Sequence, residues 1–195
     1  MNRDALLSED GVFRYWLTRA WSPVLPGLTK RLCFVMLNPS TADAAVDDPT
    51  IRKCIGFARL ADVNVVSVVN LYAFRATDPK ELINEDAKRN VDVIGEHNDF
   101  HIHCEIREAD LVVAAWGATE TRTIRDRIAT MRAAADDLGK WLWCLGTTKS
   151  GAPRHPLMVA YKQPLERWFE RREERPLSRR LSSSESTQPA HGERA

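Results

Sequence analysis

Short, densely apolar runs recur along the chain, and each of them ends abruptly at polar residues or at glycine. The runs cover residues 32–37, 63–71, 111–116 and 141–145, and the second is rich in β-branched valine. Runs of this length are typical of strands that are buried on both faces. The pattern therefore predicts four core strands.

Apolar residues return at helical spacing between the predicted strands. For residues 51–60 the predicted buried stripe consists of Ile51, Cys54, Ile55 and Ala58. Asp48 stands where an N-cap belongs, and Pro49 occupies the first helical position, where its missing N–H is harmless. Asp78 and Pro79 repeat this start, so a second helical region is expected after them.

Strands that alternate with helices predict parallel pairing, right-handed crossovers and helices on both faces of the sheet. A further helix is expected at residues 120–137, with apolar residues on one face and arginines on the other. Residues 12–21 are aromatic and interleaved with arginine, which favours an edge strand or hairpin arm. The predicted fold is α/β: a three-layer α/β/α sandwich with a mostly parallel central sheet of about four strands plus an N-terminal edge strand or hairpin.

Length and composition fit one globular domain. The 195 residues are 44% hydrophobic and 28% charged. We expect a single α/β domain over residues 1–175, and a disordered polar tail over residues 176–195, where almost nothing can be buried. Because the net charge is only +1, binding to nucleic acid would need a local basic patch.

Cysteine usage and the absence of apolar segments favour a cytoplasmic protein. The four cysteines lie far apart and form no CxxC pair, as expected of reduced thiols. They are Cys33, Cys54, Cys104 and Cys144. The chain has neither an apolar N-terminal run nor an uncharged stretch of about 18 residues, so neither secretion nor a membrane partner is expected.

The loop of residues 37–50, LNPSTADAAVDDPT, leads from the first predicted strand into the first predicted helix. It begins at the carboxyl end of the strand, the edge where open α/β sheets bind ligands. Asp43, Asp47 and Asp48 repel one another unless a cation or a proton lies among them. Since Asp48 is the expected cap, Asp43 and Asp47 are the predicted functional carboxylates, able to position a water or hold a divalent cation.

Polar and special residues follow the other predicted strands at the same edge. The candidate substrate-binding residues are Pro39, Ser40, Thr41, Asn70, Tyr72, Arg75, Trp116, Gly117, Thr147, Lys149 and Arg154. The amide of Asn70 can both donate and accept, and Arg75 and Lys149 suit phosphate. His155, held between Arg154 and Pro156, is predicted to donate a hydrogen bond to a developing negative charge.

One further group of residues, in a different part of the chain, has side chains that can ligate a metal. His97, His101 and Cys104 are spaced so that one helical face would present all three, and such spacing can make a zinc site. No further ligand has matching spacing. We therefore predict neither a metal nor another cofactor.

Most of the chain, from Phe13 to about Met158, resembles the bacterial and phage family known as domain of unknown function 1643. The segments that carry this resemblance are RYWLTRAW, FVMLNPSTADAAVDDPTIRKCIGFAR, VVNLYAFRATDP, AWG and GTTKSGAPRHPL. The family name states no activity.

The order of motifs is also similar to that of the uracil-DNA glycosylase superfamily: Asn-Pro after the first strand, Asn-Leu after the second and His-Pro after the last. This resemblance implies an α/β/α sheet in which Asn38 orients the hydrolytic water, Asn70 reads the base and His155 faces the base oxygen. Leu37, Ser40 and Leu157 depart from the superfamily pattern, which has small residues at these places.

The leading hypothesis is a glycosylase-like enzyme that hydrolyses the N-glycosidic bond of a base, in DNA or in a smaller nucleotide. Its predicted catalytic residues are Asn38, Asp43, Asp47 and His155, and a base in duplex DNA would have to leave the stack. Two alternatives stay open. One is a metal-dependent phosphoester hydrolase using Asp43, Asp47 and Asp48, and the other is a nucleotide-binding or nucleic-acid-binding module without turnover.

Overall fold

The computed structural model describes residues 1–25, 27–78, 82, 92–118 and 121–168. The strands in this part of the chain are β1 (Asn2–Leu7), β2 (Arg14–Ala20), β3 (Arg31–Met36), β4 (Val65–Asn70), β5 (Leu111–Ala114), β6 (Leu142–Cys144) and β7 (Glu166–Arg167). The helices are α1 (Pro49–Leu60), α2 (Asn98–Glu108) and α3 (Arg122–Asp137), with a single 3₁₀ turn at Pro156–Met158.

The strands form one mixed sheet in the order β1-β2-β4-β3-β5-β6-β7. The four predicted core strands β4, β3, β5 and β6 are parallel neighbours, and their carboxyl ends lie at one edge. The N-terminal hairpin β1–β2 and the short strand β7 add antiparallel pairings on either side. The α/β class and the N-terminal hairpin are confirmed, but the sheet is mixed, not mostly parallel.

The two added edge strands explain this difference. β1 contains Arg3 and Asp4 and is largely exposed, so its sequence lacks the alternation of a half-buried strand. β7 has only two residues, both exposed. Strands that bury so little leave no hydrophobic signature, and pairing alone defines them.

Each face of the sheet carries its own hydrophobic core. On β3, Cys33 and Val35 belong to one core, and Phe34 belongs to the other. The helices α2 and α3 contribute Ile102, Ile106, Ile124, Ile128 and Met131 to the first core. Helix α1 contributes Ile51, Cys54, Ile55 and Ala58 to the second, which confirms the predicted stripe.

Local capping fixes where α1 and α3 begin. The Asp48 side chain accepts a hydrogen bond from the Ile51 N–H, and Pro49 occupies the first turn, as predicted. The Thr121 side chain caps α3 in the same way by accepting from the Ile124 N–H. Because α1 begins directly after the loop of residues 37–48, this cap also fixes one end of that loop.

The arginines of α3 were expected on its solvent side, and Arg127 departs from that expectation. It is buried, donates from Nε to the Leu71 carbonyl and pairs with Asp99 of α2. Asn98 donates to the Asn70 and Leu71 carbonyls from the same side. These bonds satisfy the backbone where β4 ends and hold the loop after it in place.

All four cysteines are free thiols, and Cys33, Cys54 and Cys144 are buried. Within the described ranges, no helix is long and apolar enough to cross a membrane. The predicted tail of residues 176–195 lies outside the described residues. Of the helical region expected after Asp78, residues 79–81 and 83–91 also lie outside the described residues, and Ile94, which was expected in it, lies in a bend.

Candidate functional site

A cleft of about 580 Å³ opens at the edge of the sheet where the parallel strands end. Residues from the loops after β3, β4, β5 and β6 line it, together with the start of α1 and the first residue of β2. We call it the edge cleft. Its polar and charged lining residues are Arg14, Asn38, Ser40, Thr41, Asp48, Thr50, Thr77 and His155. Met36, Leu37, Ile51, Ala76, Trp116 and Leu157 supply its apolar wall.

The cleft gathers part of the predicted site and leaves the rest elsewhere. The predicted residues that line it are Asn38, Ser40, Thr41, Trp116, Gly117 and His155. The predicted residues outside its lining are Pro39, Asp43, Asp47, Asn70, Tyr72, Arg75, Thr147, Lys149 and Arg154. Asparagine and histidine loops separated by more than a hundred residues therefore meet in one concavity, because the strands before them are parallel.

The side chain of Asn38 is oriented by its neighbours. Its Nδ2 donates to the Ala76 carbonyl at 2.7 Å and to the Pro39 carbonyl at 3.1 Å. Both donor hydrogens are thus engaged, and Oδ1 is left as the acceptor that the residue presents in the cleft. An oriented acceptor of this kind can hold a water by one of its protons.

His155 is the N-cap of the 3₁₀ turn that follows it. Its Nδ1 accepts a hydrogen bond from the Leu157 N–H at 3.4 Å. In a neutral ring the proton is then on Nε2, which becomes a donor. Burial lowers the pKa of His155 below its ordinary value, and the negative charge of Asp48 opposes that shift. The imidazole is therefore neutral at pH 7 and can donate through Nε2.

Asp48 combines a structural and a site position. One carboxylate oxygen accepts from the Ile51 N–H at 2.8 Å, and the residue also lines the cleft. Among the described lining residues it carries the one carboxylate. The sequence pattern predicts Asp48 as the cap, and otherwise only as a metal ligand of the alternative phosphoester hydrolase, because nothing local indicates that a capping residue also faces a cavity.

Arg14 lines the cleft and was missed by the sequence analysis. The residue is 2% exposed, and its Nη1 donates to the Ala42 carbonyl at 2.7 Å. Burial lowers the pKa of Arg14 to about 10, so the guanidinium stays protonated at neutral pH. The pattern of residues 12–21 predicts a strand that contains Arg14, but it does not show where the guanidinium lies.

The predicted carboxylates Asp43 and Asp47 serve the loop itself. Asp43 Oδ1 accepts from the backbone N–H groups of Ala45 and Val46, and these bonds lower the pKa of Asp43. Asp47 pairs with Arg19 at 2.7 Å and with Arg3 at 3.2 Å. The cation that three neighbouring aspartates require is therefore supplied by arginines of β1 and β2.

Among the described residues, no group of three His, Cys, Asp or Glu side chains is arranged to hold a metal ion. His97 and His101 pack against the Tyr15 ring, with ring centroids 6.2 Å and 5.0 Å from it. Cys104 is partly buried on α2. His97 and His101 therefore belong to the contact between the start of α2 and Tyr15 of β2.

Three residues predicted after β4 contribute to packing and to loop support. Asn70 is fully buried, and neither of its side-chain amide atoms has a hydrogen-bond partner among the described residues. Tyr72 belongs to the core beneath α2 and α3. Arg75 donates to three backbone carbonyls, those of Gly11, Ser40 and Thr41. Arg75 therefore fixes the loop that carries the lining residues.

The remaining predicted residues are Thr147, Lys149 and Arg154, which precede His155, and Pro39, which lies in the loop after β3. Thr147 and Lys149 are exposed, and Arg154 Nε donates to the Thr147 carbonyl at 3.0 Å. The buried Pro39 accepts from the Ala76 N–H through its carbonyl at 2.9 Å. These contacts hold the loops in shape, but none of these four side chains lines the cleft.

Helix α1 holds the chain that follows His155. Lys53 Nζ donates to the Val159 carbonyl at 2.7 Å and lies 4.2 Å from the centre of the Tyr161 ring. Tyr161 packs over Gly56, where a Cβ would overlap the ring. On the other side, the Gly117 N–H donates to the Pro153 carbonyl at 3.0 Å. The histidine loop is thus positioned by both α1 and the turn after β5.

The profile of one protein family matches residues 14–157 of the chain. Arg14 and Leu157, the first and last residues of that match, are also the first and last residues that line the edge cleft. No curated protein and no solved structure matches the chain. The geometry of the edge cleft is therefore the basis for proposing a function.

Proposed function

Because the chain belongs to the family described as "Protein of unknown function (DUF1643)", we propose its activity from the geometry of the edge cleft. We propose that the protein is an enzyme that hydrolyses the N-glycosidic bond between a base and its sugar. The base is part of DNA or of a smaller nucleotide.

The meeting of Asn38, Asp48 and His155 in one cleft carries this proposal. The three residues supply a fixed acceptor, a carboxylate and a neutral imidazole donor. These are the groups that hydrolysis of a glycosidic bond needs, because water must be oriented and the departing base must be stabilised. The volume of about 580 Å³ lies within the range of small-molecule sites.

The proposed step balances as follows. A water held by Asn38 Oδ1 and the Asp48 carboxylate forms a bond from its oxygen to C1′ of the sugar. The C1′–N bond breaks, and its electron pair stays with the base, whose negative charge accepts a hydrogen bond from His155 Nε2. The water loses one proton to Asp48, and that proton passes to the released base. The products are the free base and the sugar with a hydroxyl at C1′.

The carboxylate in this proposal is Asp48, in place of Asp43 and Asp47. The latter two are engaged by backbone N–H groups and by arginines, respectively, and neither lines the cleft. The same engagement removes support from a phosphoester hydrolase that would bind metal through these aspartates. An activity that a chelator abolishes would nevertheless restore that alternative.

The likeness to the uracil-DNA glycosylase superfamily and the three-layer sandwich remain parts of the proposal. Helices pack on both faces of the sheet, and the Asn-Pro and His-Pro motifs meet in one cleft. Both features support the likeness. Asn70 does not, because it is buried beneath the site instead of lining it. We therefore do not assign base reading to Asn70.

The test is release of free base from nucleosides, nucleotides and oligonucleotides that carry varied bases. We expect Asn38→Ala, Asp48→Asn and His155→Ala to lose on the order of a hundredfold in rate, the usual effect of removing one catalytic group. Lys162→Gln, an exposed residue outside the cleft lining, is the matched control and should keep the wild-type rate. Equal rates for all variants would refute the proposal.

A second outcome distinguishes binding from catalysis. Saturable binding of a nucleotide to the wild type, without base release from any substrate, would make the protein a binding module. In that case Asp48→Asn should leave affinity nearly unchanged, because the carboxylate is proposed to act on water and not on the base.

A further inference from the structure

Arg14 is a buried cation with an unused donor in the wall of the edge cleft. Its Nη1 is bonded to the Ala42 carbonyl, but its Nε is buried and has no hydrogen-bond partner among the residues that the structure describes. Leaving a buried donor unpaired is unfavourable, and more so for a charged group than for a neutral one. Such a cost at the wall of a cavity calls for a partner that the described part of the chain does not supply.

The other arginines near the loop of residues 37–50 have structural partners. Arg19 pairs with Asp47 and donates to the Asp43 carbonyl, and Arg75 donates to the carbonyls of Gly11, Ser40 and Thr41. Arg14 has no ion-pair partner within the described part of the chain. Arg14 also supports the loop through the Ala42 carbonyl, and the negative charge of Asp48 favours its protonated form. Support of the loop does not account for its buried Nε, which has no hydrogen-bond partner among the described residues.

The groups around Arg14 suit an oxyanion. Arg14 is bonded to the carbonyl of Ala42, which directly follows two lining residues with hydroxyl groups, Ser40 and Thr41. The first turn of the 12-residue helix α1 also lines the cleft, and a helix N-terminus favours negative charge. Asp48 already caps that helix, and its negative charge also acts on Arg14. The donors to which we assign an anion are therefore those of Arg14, Ser40 and Thr41.

We propose that Arg14 binds a phosphate group of the ligand, with Ser40 and Thr41 as neutral donors. A guanidinium and hydroxyl groups together match the several acceptor oxygens of a phosphate. Taken with the proposed function, on which this step rests, the substrate is a phosphorylated nucleoside or a phosphodiester and not a free nucleoside. The binding of phosphate itself does not depend on the hydrolytic step.

The experiment is isothermal titration at constant ionic strength with four probes. They are inorganic phosphate, 5′-mononucleotides, the matching nucleosides and a short single-stranded oligonucleotide without terminal phosphates. Wild type, Arg14→Lys, Arg14→Gln and the surface control Lys162→Gln are compared, with folding checked by circular dichroism. The mononucleotide and oligonucleotide arms separate a terminal phosphate from a phosphodiester.

We expect wild type and Lys162→Gln to bind at least one phosphorylated probe ten times more tightly than its nucleoside. Arg14→Gln should lose this preference but keep its nucleoside affinity, and Arg14→Lys should retain part of it. Equal affinity of the wild type for phosphorylated and unphosphorylated probes would overturn the inference, even if Arg14→Gln fails to fold. An unchanged preference in folded Arg14→Gln would do the same.

Failure of this inference and failure of the proposed function give different results. A phosphate preference without any base release would leave Arg14 as the anion site of a binding protein. Base release with equal affinity for nucleoside and nucleotide would keep the glycosidase and remove the phosphate from Arg14.

Discussion

Arg19 Nε donates to Asp47 Oδ1 at 2.7 Å, and the arginine side chain in this pair is fully buried. The same guanidinium donates to the carbonyls of Thr18 and Asp43. Strand β2 therefore anchors the loop of residues 37–50 through Arg19. The lining residues Asn38, Ser40 and Thr41 belong to that loop, so its anchor supports the cleft.

Asp47→Asn should destabilise the fold without removing a catalytic group. Deleting the charge that neutralises a buried arginine typically lowers the free energy of unfolding by about 3 kcal/mol or more. Chemical denaturation of wild type and variant measures this difference. The rate of base release per folded molecule should stay within about twofold of wild type, since Asp47 does not line the cleft.

The double variant Arg19→Met/Asp47→Asn is the control for that prediction. The double variant should lose less stability than the sum of the losses of the two single variants, because it leaves no uncompensated buried charge. If Asp47→Asn alone were as stable as wild type, or abolished the activity of the folded protein, the structural role given to Asp47 would be wrong.

The sequence could not show that Asp43 and Asp47 are occupied. Asp47 pairs with arginines of β1 and β2, and the pairing of β2 with β4 leaves no trace in the local pattern around residues 43–48. The partners of the Asp43 carboxylate are local, the N–H groups of Ala45 and Val46, but an aspartate in such a turn has the same sequence pattern as one that faces a ligand. The convergence of Asn38 and His155 was predictable for the opposite reason. Each follows a dense apolar run, and parallel runs place their carboxyl ends at one edge.

The two roles of Asp48 can be separated by choice of substitution. Asn caps a helix about as well as Asp, whereas Ala does not and typically costs about 1 kcal/mol. We therefore expect Asp48→Asn to keep most of the wild-type stability and Asp48→Ala to lose about that amount in chemical denaturation. Both should lose base-release activity, because both remove the carboxylate.

If Asp48→Asn kept the wild-type activity and Asp48→Ala lost it, the helix cap would matter for activity and the carboxylate would not. The water would then have to be oriented without a charged acceptor. Thr121→Ala, which removes the equivalent cap of α3 away from the cleft lining, is the matched control. It should lower stability by a similar amount and leave the rate per folded molecule unchanged.

The four core strands were predictable because each is a dense apolar run, and the α1 stripe was predictable because its apolar residues recur at helical spacing. Arg14 was not, because an arginine among aromatics in residues 12–21 has the same local pattern whether its head reaches solvent or a cavity. Only the position of the Ala42 carbonyl decides between these outcomes. That carbonyl lies in a loop 28 residues further along the chain.

Gly56→Ala should displace the chain segment that follows His155. A Cβ at this position would overlap the Tyr161 ring, which packs over the helix. Overpacking of this kind typically costs about 1–3 kcal/mol, although alanine in a helix gains up to about 1 kcal/mol over glycine. Chemical denaturation should show a net loss of stability.

A double-mutant cycle with Tyr161→Ala isolates the cause of that loss. In the Tyr161→Ala background the overlap is absent, so Gly56→Ala should be neutral or stabilising. Equal destabilisation in both backgrounds would show that the contact between residue 56 and the ring is not responsible.

Acid should weaken the fold through His155. Burial lowers the pKa of His155 in the folded state, so the unfolded chain binds the proton more readily. Stability contributed by this residue is present above the unfolded pKa of about 6.5 and is lost as the pH falls through that value toward the folded pKa. Replacing the imidazole with the non-titrating Gln should remove this component.

The measurement is the free energy of unfolding of wild type and His155→Gln between pH 7.5 and pH 5. Both limits lie about one unit or more from the ordinary histidine pKa, so the range spans its titration. The wild type should lose more stability than the variant as the pH falls. His101→Gln is a positive control. Burial and the charge of His97 also lower the pKa of His101, so this variant should also lose less stability than the wild type as the pH falls. Parallel curves for wild type and His155→Gln would show that His155 titrates alike in both states, which would remove the argument that a neutral imidazole donates to the base.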